Sequence, residues 1–441
     1  MSWPRRLHLA GASLVLALAI WANSGTLAPY AATLETPMVW EACGYLFNID
    51  HHHFKATYLM LDGAPREQWE FSVALRRVLY PLLAYPVMKR LGYGAGGLVV
   101  NVLLAVAALA VFWSALRRRL GGEAPPAVLW LLATYPGWMY WAGLPYSYAT
   151  IVPFSLLCLV LLWKMETLTS WRQALAYGLA MGVLFTGYDL LPFFGAAGVL
   201  LLLYRRLWVS TLVFGVAQLI PTIAVAAVLQ KFFQVPFRNS NTEAYFAILK
   251  SYFPPIDLKG WWVFLRQFPQ AVWDNYFFSN FLFLPVLFLV CLALARRLPR
   301  GSRILPPAEA CLLAAAVLLF LFNNLAPPYP GWPMRGSWVA RLYQPVFAVM
   351  ISGLAAFYLH ARLLPAALRR TAWAVLAITL AAQSVVVFGP VLGHAELAGE
   401  LYLRFYRHAR RPHYQENLAK FGVRPAGVCS NLPTTPASAT H

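Results

Sequence analysis

Charged side chains are scarce in this chain, 12% of its 441 residues, about half the share that an average soluble domain carries. A water-soluble protein of this length cannot cover its surface from so small a supply, and that class is excluded. Cysteine is scarce too. The five cysteines show no spacing that would hold a metal, and Cys158, Cys291 and Cys311 lie in apolar runs as small core residues. No Walker motif and no dinucleotide-binding unit occurs. The glycine-rich run LGYGAGG at 91–97 follows no strand and opens an apolar stretch, which excludes it as a phosphate loop. No polar stretch is long enough to fold into a nucleotide-sugar domain. No internal repeat of the kind that builds many secondary transporters is visible.

What is there is apolar. Hydrophobic residues make up 60% and aromatics 15%, and mean hydropathy is +0.59. Apolar runs close to the roughly 20 residues that cross a bilayer recur throughout. The pattern predicts an all-α, polytopic membrane protein with about eleven transmembrane helices. The formal charge of +19 would suit nucleic acid if it covered one surface. Instead Arg and Lys cluster at the ends of apolar runs, as the positive-inside bias places them. That distribution assigns the charge to topology and to anionic lipid, and excludes nucleic acid as a partner.

With Arg5 and Arg6 in the cytoplasm, a retained first helix over about Leu9–Ala22 delivers a long polar loop outside. The short run Val78–Leu91, with two prolines, is predicted to lie at the outer interface. Helices are expected over Leu98–Leu116, Val128–Leu144 and Ile151–Trp163. The run Ala174–Tyr204 is too long for one crossing and is expected to break at Gly187-Tyr188-Asp189. Further helices are expected over Val209–Leu229, up to Arg296, over Ala310–Leu325, up to Arg362, and over Ala372–Val391. On this threading residues 1–393 form the membrane domain, and the outer loops are 24–96, 231–280 and 326–341. Residues 394–441 make an outer tail whose last part is predicted to be disordered. The expected setting is a bacterial inner membrane with the working face on the periplasmic side. Cys43 and Cys429 share that oxidising side and are the candidates for a disulfide.

The outer loops hold the polar chemistry. Glu41 lies in WEACGY, four residues before Tyr45, so the two share a face if the segment is helical. A carboxylate held beside aromatics at a membrane surface suits a general base for a hydroxyl proton; the alternative is an ordinary solvated acid. Asp50 precedes His51, His52 and His53. Adjacent helical side chains point about 100° apart, so the three histidines cannot chelate one ion together. Asp50 with His51 or His53 could hold a divalent metal. Hydrogen bonding to a polar ligand and an ordinary polar turn are the other two readings, and no metal or other cofactor is expected. Asp189, between two apolar runs, either faces an interior cavity or caps the next helix. Arg335 and Arg341 lie in the third outer loop, with Tyr343 just beyond. At that boundary Arg341 is either a partner for a lipid-borne phosphate or a snorkelling anchor. Arg76 and Arg77, at the end of the first loop, are the next candidates for a phosphate.

The order of these features resembles the GT-C glycosyltransferases, polytopic enzymes that use polyprenyl-phosphate sugars. The likeness begins with an apolar helix, an outer loop bearing Glu41 and Tyr45, and Arg77-Val-Leu-Tyr-Pro81-Leu-Leu. It continues with TYPGWMYWAGLPYSYA at 134–149, similar to the outer helix–loop–helix of mannosyltransferase-like members. It ends with RLYQPVFAVMISGLA at 341–355, which looks like their late R-Y-x-x-P motif entering a helix. A single Glu41 after Trp40 stands where the family carries an acidic pair, and Leu342 stands where it carries Tyr. The resemblance implies a GT-C-like fold and transfer of a sugar from a polyprenyl-phosphate donor to an acceptor on the outer face. It implies Glu41 as base, with Asp50 the next choice, and Arg341 as phosphate ligand. A polysaccharide polymerase or ligase of the same architecture, or a lipid or solute transporter, is the alternative.

Overall fold

Glycine sets the first turn between packed helices. Helix α2 (Leu79–Leu91) ends on Gly92, whose φ of 86° lies in the left-handed region open to glycine, and α3 (Tyr93–Arg119) starts at the next residue. One turn on, a Cβ at Gly96 would sit 2.5 Å from the Met88 Cα and 2.7 Å from its backbone nitrogen. The run 91–97 is therefore a helix-to-helix turn in which missing side chains let two backbones touch. The computed structural model describes residues 3–27, 56–70, 72–143, 146–188, 191–235, 283–299, 305–325 and 346–389.

All regular structure among the described residues is helical. Helix α1 (Trp3–Leu27) packs on α3 and on the pair α4 (Ala127–Ala133) and α5 (Pro136–Ala142). Then come α6 (Ile151–Met165), α7 (Trp171–Phe185), α8 (Pro192–Tyr204), α9 (Trp208–Ala217) and α10 (Ile220–Phe233). Helices α11 (Phe283–Ala295), α12 (Pro307–Leu325), α13 (Phe347–His360) and α14 (Ala366–Phe388) complete the described bundle. Among the described residues four helices are long and apolar enough to cross a membrane: Gly94–Arg119, Ser147–Met165, Trp208–Phe233 and Ala366–Phe388. Five shorter apolar helices accompany them. Along α9 and α10, Trp208, Leu212, Ile223 and Phe232 are all exposed. Such a face suits hydrocarbon, where a helix hides its own backbone polar groups.

The expected single helix over Val128–Leu144 is two. Pro136 has no N–H to continue the α4 ladder, and Thr134 closes α4 with its hydroxyl 2.9 Å from the Trp130 carbonyl. The same hydroxyl lies 3.1 Å from Oε1 of Gln383, a fully buried residue of α14. The expected helix over Val209–Leu229 is present as the span Trp208–Phe233, with a short turn between α9 and α10 just before Pro221. That turn is packed on α7 through a small-residue seam. A Cβ at Gly178 would meet the Ala217 Cβ at 2.7 Å, and one at Gly182 would collide with the Gln218 carbonyl oxygen. The break between α7 and α8 falls where Gly187 predicts it. Cys158 and Cys291 are buried and Cys311 is half-buried, all as free thiols.

Candidate functional site

Three interhelical segments meet at Arg77. A 3-10 turn, Val73–Arg76, leads into it, and two residues on the Leu79 N–H donates to the Thr186 carbonyl at 3.3 Å. That bond ties the start of α2 to the break between α7 and α8. Gly187 allows the break to lie against the Phe154 ring of α6, which a Cβ would strike. Tyr188 is thereby turned onto Tyr148, which lies in the 3-10 turn Ser147–Thr150. The two rings are edge to face at 5.7 Å between centroids, and both are 1% exposed. The Arg77 guanidinium carbon lies 5.2 Å from the Tyr188 centroid and 5.8 Å from that of Tyr148. Such contacts contribute about 0.5–1 kcal/mol at exposed sites and about 2 kcal/mol when desolvated. They also fix the plane of a group that stays charged at any physiological pH. Guanidinium donors lie in that plane and match carboxylate or phosphate oxygens. Next to Tyr148, the fully buried Ser147 hydroxyl has no hydrogen-bond partner among the described residues.

Behind this cluster runs a short buried polar chain. The Tyr80 hydroxyl donates to Asn101 Oδ1 at 2.7 Å, and Asn101 Nδ2 donates to the Ala142 carbonyl at 2.8 Å. Ala142 is the last residue of α5, so its carbonyl is one that the helix itself leaves unsatisfied.

A second polar cluster lies at the other end of α3 and α6. Arg119 donates to Glu166, through Nη1 and at 3.0 Å through Nη2, and to Glu309 Oε2 at 2.9 Å. Glu309 Oε1 accepts from Trp163 at 2.7 Å and from Ser352 at 2.5 Å, and Glu166 accepts from the Ala308 N–H at 3.0 Å. Nearby, Arg205 donates to the Met165 carbonyl at 2.7 Å. Asn101 and Arg119 are separated by eighteen residues of helix, as are Tyr148 and Glu166 along the segment that ends in α6. At 1.5 Å per residue that is about 27 Å, close to the hydrocarbon thickness of a bilayer. Two polar poles thus stand on either side of an apolar slab.

Beside the Arg77 pole, residues 56–76 fold onto the end of α10. Ala56, Met60, Trp69 and Leu75 bury themselves with Leu229 in a small separate core. Arg66 donates to the Gln234 side chain at 2.7 Å and to its carbonyl at 3.3 Å. On the other flank, Asp62 pairs with Lys89 at 2.8 Å and accepts from the Tyr85 hydroxyl, both on α2. Hydrogen bonds from Lys89 first, then from Tyr85, hold the Asp62 carboxyl below its usual range.

Of the residues singled out in the sequence, Arg76 and Arg77 are described: Arg76 ends the 3-10 turn, half-buried, and Arg77 sits on the two tyrosines. Glu41, Tyr45, Asp50, His51, His52, His53, Asp189, Arg335, Arg341 and Tyr343, with Cys43 and Cys429, lie outside the described residues. Asp189 directly follows Tyr188 in the chain. Among the described residues no group of His, Cys, Asp and Glu could hold a metal ion. Sequence reading missed the roles of Tyr148, Tyr188, Tyr80 and Asn101, and the whole Arg119 cluster. Tyr148 and Tyr188 stand inside stretches that were singled out for other reasons. Asn101, an amide in an otherwise apolar run, is the signal that could have been followed. No protein-family model matches this chain, and no curated protein matches it.

Proposed function

We propose that this protein is a GT-C-like membrane glycosyltransferase, with about eleven spans, that moves a sugar from a polyprenyl-phosphate donor to an acceptor on the outer face. The observation that carries the reading is Arg77, fixed on Tyr148 and Tyr188 where three interhelical segments meet at one pole of an apolar bundle. A cation with a fixed plane, at the depth where a lipid tail would enter hydrocarbon, suits the phosphate of a lipid-linked sugar. In the reaction Glu41, or Asp50 in its place, takes the proton of the acceptor hydroxyl. The acceptor oxygen bonds to the anomeric carbon as the bond from that carbon to the phosphate oxygen breaks. The phosphate leaves with the electron pair, and Arg77, Arg76, Arg335 and Arg341 stabilise its charge.

On this reading the Arg77 pole is periplasmic and the Arg119 pole cytoplasmic, in a bacterial inner membrane. Alkaline phosphatase is then active when fused after residue 430 and inactive when fused after Arg119. A second reading, a lipid flippase, is favoured by the helix breaks at 134–135 and 186–188, because transporters build sites at interrupted helices. The full chain in vesicles, supplied with radiolabelled polyprenyl-phosphate sugars, separates the two. Transfer or hydrolysis of the sugar that falls about 10²–10⁴-fold in Glu41→Gln supports the enzyme. Movement of labelled lipid between leaflets with no bond broken overturns it.

A further inference from the structure

We propose that Asn101 is a positioning residue, which acts through Tyr80 and the Ala142 carbonyl to hold Arg77 and Tyr148 at their working separation. Asn101 is 2% exposed and lies inside a helix long and apolar enough to cross a membrane. A primary amide there is costly unless its donor and acceptor are both satisfied. Both are: Oδ1 accepts from Tyr80, and Nδ2 donates to the Ala142 carbonyl.

The two partners are the inner ends of two of the three segments that build the cluster. Tyr80 lies three residues after Arg77, in the first turn of α2. Ala142 ends α5, six residues before Tyr148. One side chain therefore sets both segments against a single point on α3, and the Leu79 to Thr186 bond fixes the third. Side chains of similar volume without the amide would fill the same space and would not bridge these segments. Removing the Tyr80 hydroxyl alone deletes the bond from α2 to Asn101 and leaves the bond to the Ala142 carbonyl in place.

The placement of Arg77 is testable without any assumption about chemistry, and only the catalytic consequence rests on the glycosyltransferase reading. The full chain in native membranes is treated with phenylglyoxal, and modification is followed site by site by peptide mass spectrometry. In Tyr80→Phe and Asn101→Leu, Arg77 is expected to react several-fold faster, while Arg205, at the opposite pole, keeps the parental rate. Tyr80→Phe removes one oxygen atom, so it serves if Asn101→Leu fails to accumulate. An Arg77 rate equal to the parent's overturns the inference, as does an equal rise at Arg205, which marks general loosening. In a transfer assay, the KM for polyprenyl-phosphate sugar rises about tenfold in Tyr80→Phe, as expected for one lost buried hydrogen bond, and the rise disappears in an Arg77→Ala background. A faster Arg77 with unchanged transfer leaves the positioning role standing and removes Arg77 from the proposed reaction.

Discussion

Arg119 and Glu309 are 190 residues apart in the chain and 2.9 Å apart in the fold. Their ion pair, with Glu166, Trp163 and Ser352, joins α3, α6, α12 and α13 at one pole. Glu309 has no exposed surface, so its carboxylate depends on these donors in place of water.

Removing the arginine should therefore cost far more than removing one acid. Arg119→Met strands two carboxylates, and breaking a buried pair from one side costs about 3–5 kcal/mol. The double variant Arg119→Met with Glu309→Leu leaves only Glu166, which lies nearer solvent, and should recover part of the loss. Thermal unfolding of the purified chain in detergent, compared across the cycle, reads the coupling. Strict additivity of the two single effects would mean that the pair contributes nothing.

The glycine contacts give a graded series. A Cβ at Gly96 meets three backbone atoms of α2, and one at Gly182 meets the Gln218 carbonyl, whereas at Gly195 the nearest atom is the end of the Gln218 side chain. Backbone cannot step aside as a side-chain end can. Gly96→Ala and Gly182→Ala should each cost about 1–3 kcal/mol, and Gly195→Ala less. Gly215, with nothing within 4 Å, lies inside α9 and should tolerate Ala with no loss or a gain of about 0.5–1 kcal/mol. Apparent melting temperatures in detergent give the order directly.

Asp62 supplies a pH dependence. Because Lys89 and Tyr85 hold its carboxyl below the unfolded value of 3.8, the folded lobe binds this proton less readily than the open one. The contribution is fully present above about pH 4 and is lost as pH falls through the lower folded value. The pair is exposed, so the effect is small and local. Protection against amide hydrogen exchange across residues 56–64, taken relative to the intrinsic rate at each pH, should fall in acid, and Asp62→Asn should show the lower protection at neutral pH with no further acid step. An acid step that persists in Asp62→Asn would assign it to another group.

How much of this was legible in the sequence depends on the kind of signal. Apolar runs and terminal arginines gave helix positions to within a few residues, as at the predicted Ile151–Trp163 and the observed Ile151–Met165. The helix breaks were partly visible. Gly187 was read correctly, but Pro136 and Pro221 were passed over, because an apolar run hides a proline when hydropathy is averaged. The Arg119 cluster was invisible, since its charged members Arg119, Glu166 and Glu309 are scattered over 190 residues, each looking like an ordinary charge at a helix end. Arg77 was legible as a cation at the end of the first loop and as a candidate for a phosphate. Its aromatic seat was not, because Tyr148 and Tyr188 stand far apart in the chain and meet only in the fold.

That seat makes the strongest prediction for the proposed reaction. If Arg77 holds the donor phosphate, Arg77→Ala removes a charge-assisted hydrogen bond of about 1.5–3 kcal/mol, and donor use should fall tenfold or more. Arg77→Lys keeps the charge but loses the planar fork, so it should fall between parent and alanine. The tyrosines act through their faces. Tyr188→Phe, which keeps the ring face, should therefore lie nearer the parent than Tyr188→Leu, which should raise the KM for donor and add little to Arg77→Ala. Arg341 offers the comparison, since it was singled out by motif and Arg77 by geometry. If Arg341→Ala abolishes donor use while Arg77→Lys and Arg77→Ala both match the parent, the phosphate belongs to the late loop, and the tyrosine-held arginine is a structural pin between α2 and the break after α7.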